Sequence, residues 1–201
     1  MIIVDVETTG LFPEKYAMID IGAVDFYDPL RTFSMPVRAW DGCEFSKFAL
    51  EVNGYTEEEL KDHSRPPLEE AIGAFIEWSE GCASTTLAGQ NPEFDSKFLK
   101  HGFSTYRDKK EWPFSRRVVD MHSITYAHML SRGILPPMKN RGSALSGDEI
   151  MKYVNVPQEP KPHRHGLTGA LYECEAFSRL VCGKNLLSEF SKHKIPEYLK
   201  K

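Results

Sequence analysis

Apolar and polar positions along this chain follow two rhythms, one of two residues and one of about 3.6, and each stretch can be assigned to strand or helix by the rhythm it keeps. Met1-Ile2-Ile3-Val4 is an apolar, largely β-branched run that passes into the alternation Val4-Asp5-Val6-Glu7 and breaks at Thr8-Thr9-Gly10, which predicts a buried strand ending in a turn. Met18 to Tyr27 alternates as a second strand, Arg31 to Val37 returns as a third, and Asp28-Pro29 supplies the turn between them. Three sequential strands imply an antiparallel meander feeding a mixed sheet. Helical spacing then takes over. Thr56-x-x-Glu59 is a capping box, and Leu68, Ile72, Phe75 and Ile76 form a core-facing stripe through Pro67 to Glu80.

Thr85 to Gln90 reads as a short strand, with Asn91 as the cap and Pro92 as the first residue of the helix after it. That helix is expected to reach His101 and stop at Gly102, followed by a linking loop of mixed charge from Ser104 to Ser115. Val118-Val119 is an apolar strand ending in Asp120, and a helix from there to Arg132 is closed by Gly133 and Pro136-Pro137. Ser146-x-x-Glu149 caps a further helix. Pro157-Gln158-Glu159-Pro160-Lys161-Pro162 is an extended, semi-rigid connector that delivers His163 and His165 to the last long helix. This helix, about Thr168 to Val181, carries Leu171, Cys174, Phe177 and Leu180 as its buried stripe.

With 201 residues, 41% of them apolar and 11% aromatic, the chain can bury a sizeable core. It shows no repeat, low-complexity segment or domain boundary, so residues 1–201 are expected to form a single α/β domain. No apolar run approaches the roughly 18 residues that a membrane span requires, and a cytoplasmic location without membrane contact is the expectation. The four cysteines, Cys43, Cys82, Cys174 and Cys182, have neither metal-ligand nor redox spacing and read as free thiols. A net charge of −4 argues against a protein that coats duplex nucleic acid, while leaving room for a local basic groove.

The chemistry gathers around acids. Asp5 and Glu7 share one face at the carboxyl end of the first strand, the edge at which open α/β sheets place ligands. Asp95 falls in the first turn of a helix, where the helix dipole alone would account for a carboxylate.

The string Asp5-Val6-Glu7-Thr8-Thr9-Gly10 resembles the first motif of the DEDD superfamily of 3′-to-5′ exonucleases, the DnaQ-like and RNase T-like enzymes. Asn91-x-x-Phe94-Asp95-x-x-Phe98-Leu99 resembles the second. Weaker likeness runs through Ile21 to Val24, Ala49 to Leu60 and Val118 to Asp120, with Asp120 read as structural. The resemblance implies an RNase H-like mixed sheet flanked by helices, with two Mg²⁺ or Mn²⁺ ions held by Asp5, Glu7 and Asp95. It also implies hydrolysis of single-stranded DNA or RNA from the 3′ end, releasing nucleoside monophosphates. Phosphodiester hydrolysis needs charge neutralisation, an activated water and a stabilised leaving oxygen, and hard ions that supply these prefer carboxylate ligands.

The third motif departs from the family pattern. DEDDh-type enzymes carry a histidine five positions before an aspartate, in a form like His-x-Ala-x-x-Asp-Ala. Here the stretch is His163-Arg164-His165-Gly166-Leu167-Thr168-Gly169-Ala170, and matching Ala170 to the final alanine puts Gly169 where the aspartate belongs. Glu173, one helical turn further along the same face, is the expected substitute ligand. Glu175, about 200° round the helix from it, is expected in solvent. Either His163 or His165 would be the general base, and the loop position favours His163. Substrate contacts are expected from Thr8, Thr9, Gly10, Leu11, Phe12 and Asn91, with Lys97, Lys100, Arg116, Arg117 and Arg164 as candidate phosphate contacts. The degraded motif keeps alive an alternative, a catalytically weakened nucleic-acid-binding module on the same fold, and a third reading is a phosphodiesterase for small nucleotides.

Overall fold

The computed structural model describes residues 1–106 and 111–200. Its centre is a five-stranded mixed sheet in the order β3-β2-β1-β4-β5, formed by β1 (Ile2–Thr8), β2 (Met18–Asp25), β3 (Asp28–Pro36), β4 (Leu87–Gly89) and β5 (Val119–Asp120). β1, β2 and β3 pair antiparallel, as the meander predicts, and β4 and β5 join parallel on the other side of β1. The turn between β2 and β3 is two residues earlier than expected. Phe26-Tyr27 makes it, with the Asp25 side chain accepting the Tyr27 N–H at 3.0 Å, and Pro29 falls within β3, an edge strand where a missing donor costs little.

Seven helices are described: α1 (Lys47–Asn53), α2 (Glu57–Lys61), α3 (Leu68–Ser79), α4 (Pro92–Tyr106), α5 (Met121–Ser131), α6 (Gly147–Val154) and α7 (Gly166–Phe177). β1 alternates cleanly. Ile2, Val4 and Val6 pack with Ile72 and Phe75 of α3 and Phe98 and Leu99 of α4, whereas Ile3 packs with Met121, Ile150, Ala170, Cys174 and Phe177 from α5, α6 and α7. The sheet is thus sandwiched, and Asp5 and Glu7 share the Ile3 face, on which α7 lies.

Several helix ends differ from expectation for packing reasons. α4 runs through Gly102 to Tyr106, because Gly102 serves close approach and not termination: a Cβ there would lie 3.0 Å from Ile72 of α3. The expected Ser104–Ser115 loop is therefore shorter, and its positions 107–110 lie outside the described residues. α7 begins earlier than expected, at Gly166, and passes into a π-helical turn, Ser178–Cys182. The caps at Thr56 and Ser146 form as their sequences predict, and Asp120 caps α5 by accepting the N–H groups of His122 and Ser123. A small hairpin, β6 (Met138–Lys139) with β7 (Gly142–Ser143), was not expected. Its central residues Asn140 and Arg141 both hold positive φ.

Candidate active site

The carboxylates converge at the carboxyl end of β1. In α4, Asp95 is buried, and its Oδ1 accepts the backbone N–H of Val6 at 3.0 Å, which ties the first turn of the helix to the strand residue between Asp5 and Glu7. Glu173 reaches the same place from α7, its Oε2 accepting the N–H of Gln90, just past the end of β4, at 3.1 Å. Asp5 lies between them, and its negative charge is felt by Asp95, Glu173 and Glu7 alike.

Two acids that sequence reasoning did not single out belong to this cluster. Glu159, in the connector, brings a carboxylate oxygen to within 4.8 Å of donor atoms of Glu7 and His163. Asp20 pairs across β2 with Glu7 and is fully buried, and its Oδ1 accepts the N–H of Gly166 at 2.9 Å, an outside cap for α7. Each had a signal in the chain. Glu159 stands four residues before His163, and Asp20 interrupts the apolar run from Met18 to Val24.

Burial is the main cause that lifts every one of these carboxyls above its ordinary range; mutual repulsion adds to it for all but Asp20, which the Gly166 N–H, His165 and Arg65 pull back down. Glu159 is raised to about 7 by burial, then by Asp5 and Asp148. Asp5 is raised by burial and then by Asp20, and Glu7 by burial and then by Asp5 and Glu159. Asp95 and Glu173 move the same way. Acids crowded out of water in this manner call for protons or cations.

The two candidate histidines part company. The His163 ring lies against the acids, with Nδ1 3.7 Å from Glu159 Oε2, and burial and then Lys161 lower its pKa. His165 is turned outward, its side chain 62% exposed and its Nδ1 3.7 Å from Asp20 Oδ2.

Gly169 sits against Asp5 so tightly that an added Cβ would lie 1.9 Å from Asp5 Oδ2. Two other glycines bring the helix this close: Gly22 faces the backbone of Gly166 and Leu167, and Gly166 faces the carbonyl of Asp5.

The first turn is built as a rigid corner. Thr9 is fully buried, its hydroxyl donating to Glu44 O and accepting from Ala17 N, while its N–H and carbonyl bond Ala17 and Ser46. Its polar groups are thus engaged within the protein, whereas the sequence reading places Thr9 among the substrate contacts. Thr8 donates to Gly10 O, and Gly10 is covered by the Tyr16 ring. Leu11 and Phe12 are exposed; Leu11 lines, with Phe48, Val52 and Phe94, a cleft beside Glu7 of about 440 Å³, whereas Phe12 lines a neighbouring groove with Phe94 and Lys97. Asn91 holds a left-handed conformation and donates its N–H to Asp120, so both act at the start of α4 and α5.

Among the expected phosphate contacts, Arg164 is committed elsewhere: it donates to Gly54 O, lies over the Tyr55 ring and approaches Glu59. Lys97 pairs loosely with Glu93 in solvent, and Lys100 and Lys97 line a groove next to Leu11 and Phe12. Arg116 and Arg117 are exposed. Glu175, expected in solvent, is fully buried, because the side of α7 opposite the acids is covered by the chain's C-terminal part and the end of α6.

A mixed sheet with acids from β1 and α4 meeting on its carboxyl edge defines a class of metal-dependent nuclease folds, and comparison with known proteins agrees. The family model for exonucleases, of the RNase T type, matches residues 2–166, and the chain belongs to this family. The 3′-5′ DNA exonuclease Cap18 of Escherichia coli is 31% identical over 127 residues, which cover 61% of this chain and 66% of that protein, a little under two thirds of its length. The DNA polymerase III subunit epsilon of Rickettsia prowazekii is 26% identical over 187 residues, covering 91% of this chain and 74% of the relative. Among solved structures, the nuclease domain of 3′hExo, a DEDDh family member bound to rAMP, aligns with a TM-score of 0.67 at 17% identity over 98% of this chain and 95% of that one. Escherichia coli Exonuclease I with a dA16 oligonucleotide aligns with a TM-score of 0.69 at 13% identity, over 91% of this chain and 40% of that one. The fold is thus that of the RNase H-like exonucleases, a family that depends on divalent metal. Among the described residues, no helix is long and apolar enough to cross a membrane.

Proposed function

We propose that this protein is a 3′-to-5′ exonuclease that works on single-stranded DNA or RNA ends with two Mg²⁺ or Mn²⁺ ions and releases nucleoside monophosphates. The observation that carries this reading is the tie between Asp95 Oδ1 and the N–H of Val6, which presents three acids from two distant stretches of sequence at one strand end. Asp5, Glu7 and Asp95 would hold the ions, with Glu173 as a further carboxylate on the Asp95 side. The chemistry of the donors fits: the acids offer hard carboxylate oxygens, and the donor atoms that lie within 4.8 Å of one another among the described residues are those of Glu7, Glu159 and His163, with no thiolate among them.

Divalent ions, when bound, neutralise the phosphate and lower the pKa of water. The rest is the work of the chain. His163 is the proposed base: its lowered pKa keeps it neutral near pH 7, and its ring lies within the acid cluster, ready to accept the proton of an attacking water. The terminal nucleotide is proposed to enter the cleft beside Glu7, where Phe48 and Leu11, 75% and 69% exposed, offer faces for a base to stack upon.

Gly169 at the family's aspartate position favours the rival reading, a binding module with weakened catalysis. A 5′-labelled oligonucleotide in Mn²⁺ separates the two. The nuclease reading expects stepwise release of mononucleotides that Asp5→Ala abolishes while the circular dichroism spectrum stays unchanged. Binding of the oligonucleotide without any release by the wild-type chain would select the module instead. Dependence of the rate on chain length excludes the small-nucleotide phosphodiesterase.

A further inference from the structure

We propose that Glu159, carried by the proline-rich connector and not by α7, takes the place of the carboxylate missing at position 169 and completes the divalent-cation site on the Glu7 side. The inference rests on the nuclease reading above.

A side chain at position 169 would have to displace the Asp5 carboxylate. A Cβ there would meet Asp5 Oδ2 at 1.9 Å, and the approach of α7 to the sheet is fixed by backbone contacts at Gly22 and Gly166. The same Cβ would lie 3.5 Å from Glu159 Oε2, so the carboxylate of Glu159 borders the space into which a side chain at 169 would project.

Glu159 is also built to receive something. Its Oε1 is shut off from solvent and has no hydrogen-bond partner among the described residues, and the side chain as a whole is 17% exposed. A buried carboxylate oxygen left without a partner costs free energy that a cation would recover. A Glu7 carboxylate oxygen lies within 4.8 Å of one from Glu159 and would share the cation, while a His163 ring nitrogen, within 4.8 Å of both, is left free to act as the base. Glu173, by contrast, stands on the Asp95 side and already gives Oε2 to the N–H of Gln90.

The connector is held at both ends. Before Glu159, the carbonyls of Val154 and Asn155 accept from the buried guanidinium of Arg179 at 3.2 and 2.7 Å. After it, the N–H of His163 donates to Val52 O at 3.1 Å. Pro157, Pro160 and Pro162 restrict the segment between, so a loop residue is placed with the constancy usually expected of a helix.

Mn²⁺ binding to the full chain, measured by calorimetry and by the electron paramagnetic resonance of free Mn²⁺, tests this with Glu159→Gln, Glu173→Gln and Asp148→Asn. Asp148 is an exposed acid whose field reaches both Glu159 and His163, so Asp148→Asn reports the loss of nearby charge alone. Glu159→Gln is expected to weaken Mn²⁺ binding at least tenfold, and Asp148→Asn less than threefold. If Glu159→Gln proves unstable in a thermal melt, Glu159→Asp keeps the charge, withdraws it by one methylene and is expected to weaken binding between three- and tenfold. Wild-type affinity in both Glu159 variants overturns the proposal. So does equal weakening in Glu159→Gln and Asp148→Asn, and so does a loss in Glu173→Gln with none in Glu159→Gln. None of those results touches the nuclease reading, provided that Asp5→Asn abolishes the Mn²⁺ binding of the wild type. A wild-type chain that takes up no Mn²⁺ would defeat both.

Discussion

Asp95 and Val6 are 89 positions apart in the chain and share a hydrogen bond of 3.0 Å, carboxylate to backbone N–H, in the buried corner where α4 meets β1. β4 pairs with β1 only through Ile2 and Ile3, so past that point the strand's free edge is taken over by a helix. The bond therefore does two jobs: it satisfies a strand donor and it orients an acid towards Asp5.

The two jobs separate by substitution. Asp95→Asn removes the charge but keeps an oxygen able to accept the Val6 N–H, whereas Asp95→Ala removes both. We predict that each lowers nucleotide release by more than the roughly 10–100-fold that changes behind a metal's ligands typically cost. Both variants lack the acid, so their difference in stability isolates the hydrogen bond. Asp95→Ala should unfold at lower urea, by about 1–3 kcal/mol relative to Asp95→Asn, the cost of an unsatisfied buried donor. Identical midpoints would mean that the bond seen here contributes nothing to folding.

Crowding of the acids predicts the pH dependence of the cation-free protein. In the unfolded chain Asp5 and Glu159 lose their protons near their ordinary values of 3.8 and 4.5, and in the folded chain burial holds both until about 7. Between those limits the folded state binds more protons than the unfolded one, so the contribution of this cluster is complete below about pH 4 and is lost as the pH rises through about 7. The melting temperature in chelator should fall from pH 5 to pH 8. In Mn²⁺ the fall should be shallower, because cations replace the missing protons. A melting temperature in chelator that climbs across this range would show that the acids are not repelling one another.

The acids of the first two motifs could be read from the chain because each rests on local structure. Strand alternation puts Asp5 and Glu7 on one face, and a helix start after a strand puts Asp95 at the sheet edge. Glu159 and Asp20 were not legible in this way. The position of Glu159 depends on how a connector packs against Arg179, and the role of Asp20 depends on which strand residue faces Glu7 across a pair. Gly102 shows the converse limit. A glycine late in a helical pattern reads as a stop, but when it is pressed against a neighbouring helix it is what lets the helix continue. Helical periodicity correctly put Glu175 on the far side of α7 from Glu173, yet it could not say that more protein lies on that side.

That far side holds the strongest prediction about stability. Glu175 and Arg179 are both fully excluded from solvent and meet at 2.7 Å. The remaining polar atoms are also used: Glu175 Oε2 accepts the N–H groups of Leu186 and Leu187, and the guanidinium donates to the carbonyls of Val154, Asn155 and Phe190. Breaking such a pair from one side leaves a buried charge unanswered, which costs about 3–5 kcal/mol. Arg179→Met and Glu175→Gln should each lower the urea midpoint by an amount of that order. The double variant should cost less than the sum, since the second change removes a charge that the first had stranded. Arg179 also holds the carbonyls that precede Glu159, so Arg179→Met is expected to weaken Mn²⁺ binding at urea-free, low temperature where it is still folded, while Glu175→Gln, which leaves the guanidinium in place, weakens it less. If Arg179→Met unfolds within about 1 kcal/mol of the wild type, the pair is not the clamp that its burial and its six hydrogen bonds indicate.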